Sequence, residues 1–293
     1  MGVIDALNEG FRIVVRRPLL LTIPILLDIV LLVSPKPIAP ELLLGVGGAD
    51  TAGAEALGSL LSALLVLALA LHVPSMGVAA PAAGQLGGGV QLDGMGTAIG
   101  LGLLLLLMGV VISTFWLGSL RKTIQPGAQD YDLTAMVMDR APRLLGLTVL
   151  TIAALLAVAF IATLALLFAG FLAAMIGLPL LVALIGIPLV MFFANLSVIL
   201  DDASPRDAIQ ASVNFLRSNG MPVVGIVVLT FVVQFMANTV LSQLTSAVPG
   251  YLLAVGANAF LGTVMAAGSM VFYLSRTQDV EFEFEAAEPE PDL

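Results

Sequence analysis

Apolar residues fall in long unbroken runs at positions 18–34, 98–119, 144–169, 178–200, 222–245 and 251–275. Each run approaches the ~20 residues a helix needs to cross a hydrocarbon core about 30 Å thick. Barrel strands would alternate apolar and polar positions and would be about half as long. The pattern therefore predicts an all-α integral membrane bundle of six spans, because in lipid every backbone polar group must be satisfied within the segment. A seventh run, Leu57–Val73, lies inside a Gly- and Pro-rich stretch at 35–95 and is expected to re-enter the membrane or lie at its outer interface.

Between the runs the periodicity changes. At 3.6 residues per turn, Ile4, Leu7, Phe11, Val14 and Val15 share one face and Asp5, Glu9, Arg12 and Arg16 the other. Residues 207–217 repeat this design, with Ser204 or Asp202 placed to cap a helix opened by Pro205, and 132–143 is a looser third copy. Three units follow, each an amphipathic segment leading into a helical hairpin. Segments of this kind are expected to lie in the headgroup plane as elbows, their cations meeting anionic lipid. Arg12, Arg16, Arg17, Arg140, Arg143 and Arg217 are the candidate headgroup contacts.

Charge fixes the threading. Of 11 Lys and Arg residues, all but Lys36 flank apolar runs at ends that six spans would bring to one side. The positive-inside bias makes that side cytoplasmic, with both termini on it. Counting Leu57–Val73 as a span would put Arg121 and Lys122 outside. The remaining composition agrees with a lipid solvent: 59% hydrophobic and 11% charged residues, against roughly 45–50% and 25% in soluble domains. Seven of the nine excess negative charges sit in the tail at 279–293, which reads as a solvated, disordered cytoplasmic segment beyond a membrane domain at 1–278. Its sign excludes nucleic acid as a partner.

Gly10-Phe11-Arg12-Ile13-Val14-Val15-Arg16-Arg17-Pro18-Leu19-Leu20-Leu21 before a span resembles a group of bacterial six-span proteins related to the membrane domain of glycerophosphoryl diester phosphodiesterase. So does Asp201-Asp202 leading into Ala208-Ile209-Gln210-Ala211-Ser212-Val213 and Arg217-Ser218-Asn219-Gly220. The resemblance covers most of the chain apart from the outer segment and the tail. It implies a fold and an inner-membrane location; the phosphodiesterase's soluble catalytic barrel has no counterpart here, and no functional residue carries over.

Candidate chemistry is sparse. Cysteine is absent and the one histidine, His72, has no ligand spacing around it, so no metal or cofactor site is expected. No hydrolase motif occurs, and the chain reads as no enzyme. Asp28 is the one carboxylate well inside a span and is by default a functional candidate. It is also about 9 Å from Ser34 along a helix, close enough to reach outer headgroup water or Lys36. Asn195, Gln234, Asn238 and Asn258 lie in the later spans, and Asn238 could face Asn258 to form a polar seam. Gly96, Gly100, Gly177 and Gly186 suggest sites of close helix packing. These features imply a non-catalytic scaffold or accessory subunit, with membrane lipids and a membrane protein as partners. The alternative is a small-solute or lipid transporter using Asp28 and the Asn/Gln seam.

Overall fold

The computed structural model describes residues 1–33, 36–38, 73, 89–91, 95–125, 132–167, 171–244 and 248–278. The acidic tail and, apart from Val73, the apolar run at 57–73 lie outside the described residues. Helix α1 (Val3–Arg16) ends at Arg17, because a residue before proline is driven out of the α region, and a 3-10 turn (Pro18–Leu21) leads into α2 (Thr22–Val33). Two strands follow, β1 (Lys36–Ile38) and β2 (Gly89–Gln91), paired in parallel with Lys36 opposite Gly89. These two three-residue strands bring together the ends of the Gly- and Pro-rich stretch in a fold that is otherwise all-helical among the described residues. Five long or amphipathic helices and a last long one complete the order: α3 (Met95–Ile124), α4 (Leu133–Leu167), α5 (Phe171–Leu200), α6 (Pro205–Ser218), α7 (Gly220–Leu244) and α8 (Val248–Thr277).

Four of these helical segments are long and apolar enough to cross a membrane: Gly100–Ile124, Leu133–Val158, Gly220–Leu244 and Pro249–Thr277. Pro18–Val30 and Ile185–Leu200 are shorter apolar helices among the described residues. Helix α4 merges two expected elements, since the amphipathic copy at 132–143 runs without interruption into the following span. Pro142 sits inside it, lacking the N–H that would bond the preceding turn.

The amphipathic segments are seated on the bundle rather than lying apart from it. The N-terminal part of α4 packs on α3, where Met136 and Leu133 crowd Gly118. Helix α6 packs on α5, with the Ser212 hydroxyl donating to the Val190 carbonyl at 2.6 Å. Helix α1 packs antiparallel along α8: Met1 meets Arg276, Leu7 meets Gly268, and Phe11 stacks edge-on against Phe260. Each unit's amphipathic segment thus docks on the second hairpin helix of the unit before it, and α1 on α8 closes the ring. The seat of α1 is Ala6, Gly10 and Val14, which leaves Ile4 and Val15 exposed.

The seat of α1 brings two helix backbones into close approach. A β-carbon at Gly10 would stand 2.5 Å from the Gly268 nitrogen and 2.7 Å from the Val264 oxygen. Among the described residues, nothing lies within 4 Å of the corresponding point at Gly100, Gly177 or Gly186, so these three expected glycines are not packing sites there, while the surroundings of Gly96 lie outside the described residues. The tightest core sits at the end where α1 begins and α8 finishes, around Phe193, Phe215, Phe272 and Tyr273, with ring centroids 4.9 Å (Phe193–Phe215) and 5.1 Å (Phe215–Tyr273) apart. Farther along the hairpins, Leu156, Phe160, Phe235 and Val240 are exposed, the composition of a lipid-facing surface.

Candidate functional site

Three polar constellations distinguish this bundle. The first lies at the C-terminus of α5, where the last carbonyls have no intrahelical donor and the helix dipole is negative. Arg121 from α3 donates to the Ile199 carbonyl at 2.8 Å, and Arg140 from α4 donates to the same oxygen. Arg143 holds both the carbonyl and the carboxylate of Asp202, at 2.7 and 2.9 Å, and reaches Asp139 at 2.9 Å. Asp202 carries a φ of 61°, a left-handed conformation that costs a non-glycine residue free energy and is held here by those two bonds. Its neighbour Asp201 accepts from the Tyr273 hydroxyl at 2.6 Å and from Gln278 at 3.1 Å. Ser204 then caps α6 by accepting from the Asp207 N–H, the first of the two caps the sequence allowed.

This knot changes the expected role of two arginines. Arg140 is 3% exposed and Arg121 7%, and Arg140 and Arg143 hold the α5–α6 corner in place of a lipid headgroup. Arg12 pairs with Glu9 at 3.4 Å on its own helix. Arg217 is exposed near the end of α6.

The second constellation is a cavity of about 300 Å³ between α3, α5, α7 and α8, lined by Asn195, Thr230, Gln234 and Ser269 together with apolar groups that include Trp116 and Phe192. The Gln234 amide donates to the Asn258 carbonyl oxygen at 2.8 Å, so Gln234 makes the bond that the sequence suggested for Asn238. The side chain of Asn238 is outside the described residues. The Thr230 hydroxyl and the Asn258 amide nitrogen have no hydrogen-bond partner among the described residues. No family model matches the chain, and neither does any curated protein or solved structure. The constellations therefore stand on their own geometry.

Asp28 does not join the cavity. It is fully buried and lies within electrostatic range of Tyr251 at the start of α8. Tyr251 packs with Leu241 in a small separate cluster, and Leu241 is about 10 Å beyond Gln234 along α7. The carboxylate does not snorkel to the surface, and it is not among the residues lining the cavity.

The third constellation is a groove between the end of α1, the Pro18–Leu21 turn and α3, lined by Arg16, Arg17 and Lys122 with the hydroxyls of Thr22, Ser119 and Thr123. The sequence reading singled out the two arginines and missed the α3 wall. Its signal was present in the spacing: Phe115, Ser119, Lys122 and Thr123 recur at helical intervals that put them on one face. Thr230 and Gln234, one turn apart, carried a similar signal for the cavity.

Proposed function

We propose that this chain is a non-catalytic multi-pass membrane protein, a scaffold or accessory subunit of the inner membrane with six spans and both termini in the cytoplasm. The span count is supported by α5, whose 30 residues extend about 45 Å. It is also supported by Pro18–Val33, whose 16 residues approach the minimum of about 17 for a crossing. Orientation is supported by the meeting of Arg121, Arg140, Arg143 and Arg276 with both ends of the helical region at one end of the bundle. Cysteines introduced at Gly87 and Gly127 provide the threading test in a chain without native thiols. Gly127→Cys should be labelled only from the cytoplasmic side and Gly87→Cys only from outside; the reverse pattern rejects the arrangement.

The observation that carries the scaffold reading is the separation of Asp28 from the Asn195–Gln234 cavity. A path for a charged solute would gain from having its carboxylate and amides in one wetted space, and here Asp28 is not among the residues that line the cavity. Most polar groups at the cytoplasmic end are engaged with one another across helices. Purified protein in liposomes should leave proton and cation leak at the level of protein-free liposomes, and Asp28→Asn should change nothing. The 300 Å³ cavity favours a second reading, a carrier of a small amphiphile. Flux above the lipid background that Gln234→Leu abolishes would establish that reading and remove the scaffold one.

A further inference from the structure

We propose that the groove formed by Arg16, Arg17 and Lys122 binds the phosphate of an anionic phospholipid, whose acyl chains continue down the same groove past Leu19, Ile23 and Phe115. The walls come from two parts of the chain fixed against each other. The Trp116 indole N–H donates to the Leu20 carbonyl at 3.3 Å, which clamps α3 to the turn after α1. Pro18 ends α1 and leaves Arg16 and Arg17 on the rim of the resulting gap. The groove is large, about 890 Å³, and no carboxylate lines it.

Its polarity is graded in the same sense on both walls. On α3, Lys122 and Thr123 are nearest the helix end and Phe115 lies about 10 Å deeper. On the other wall, Arg16 and Arg17 precede Leu19 and Ile23 along the chain. A free phosphate would use the cationic end alone, whereas a lipid matches the whole gradient. Leu19 is 83% exposed, a large apolar surface beside two cations that a chain in the bilayer would cover. Arg16 and Arg17 form no ion pair with an acidic side chain among the described residues, unlike Arg12, Arg140 and Arg143. Basic pockets between helices on the cytoplasmic side are suited to anionic headgroups, and guanidinium groups match phosphate oxygens bidentately.

The inference deepens the scaffold reading by naming the lipid it would hold, but it is tested in detergent without flux or orientation, so either can fail alone. Delipidated protein is titrated with phosphatidylglycerol, with phosphatidylcholine of the same chains, and with inorganic phosphate, following the thermal unfolding midpoint. Phosphatidylglycerol should raise the midpoint saturably, while the other two should not. In the double variant Arg16→Gln/Arg17→Gln the affinity for phosphatidylglycerol should fall by roughly tenfold or more, while Arg206→Gln, an exposed cation on α6 outside the groove, leaves it unchanged. An unaltered midpoint of the double variant in phosphatidylcholine reports intact folding; if it falls, Lys122→Gln replaces it with the same expected loss of affinity. Equal stabilisation by both lipids, saturation by inorganic phosphate alone, or full affinity in the folded variant would overturn the proposal.

Discussion

Gly10 offers a quantitative test of how α1 is seated on α8. A methyl group there would meet the Gly268 nitrogen at 2.5 Å, the Val264 oxygen at 2.7 Å and the Gly268 α-carbon at 2.9 Å. All three are backbone atoms, so no rotamer change relieves the clash. Ordinary contact begins near 3.4 Å, so the helices must part by about 1 Å, which forfeits a quarter to a half of the dispersion energy along the seat. Overpacking of this kind costs about 1–3 kcal/mol, against a gain of about 1 kcal/mol for replacing glycine by alanine inside a helix. Gly10→Ala should therefore range from neutral to about 2 kcal/mol destabilising. Gly256, also helical, has nothing within 4 Å of the same point among the described residues, so Gly256→Ala should stabilise by about 1 kcal/mol. Equilibrium unfolding in mixed micelles can be followed through Trp116, the only tryptophan, which is bonded to the turn just after α1. The two alanine variants should differ by about 1–3 kcal/mol. Equal stabilisation by both would mean that α1 is not packed against α8 in this way.

Two further tests probe the polar groups. Arg140→Met removes one of two donors to the Ile199 carbonyl and a cation beside Asp202; it should cost about 1.5–3 kcal/mol in the same unfolding assay, while Arg217→Gln costs nothing measurable. A double-mutant cycle on Gln234→Leu and Asn258→Leu should return a coupling of about 0.6 kcal/mol, and a value of zero would place their bond outside the folded state in micelles.

The positions of the apolar helices were readable because lipid imposes them: a run near 20 residues has few structures open to it. The cap of α6 was readable because Ser204 and Pro205 act locally. Less could be inferred where the partner comes from another part of the chain. Arg140 near a span end looks the same to a sequence reader whether it meets a headgroup or the Ile199 carbonyl, and that carbonyl is 59 residues away. The fused helix α4 was not legible because Pro142 is carried inside it, although a proline disfavours helix at the residue before it and does end α1 at Arg17. The seam was visible as a set of amides, yet which of them would converge depended on helix rotation. Gln234 reached Asn258, and Asp28 was left facing Tyr251.

The docking of α1 on α8 has a consequence for biogenesis. The bond from Arg276 to the Met1 carbonyl joins residues 275 positions apart, so α1 has no seat until α8 has been made. During synthesis the stripe of Ala6, Gly10 and Val14 must wait uncovered until then. A chain stopped before Gly268 would keep it so, offering a quality-control protease the mark of an unseated α1.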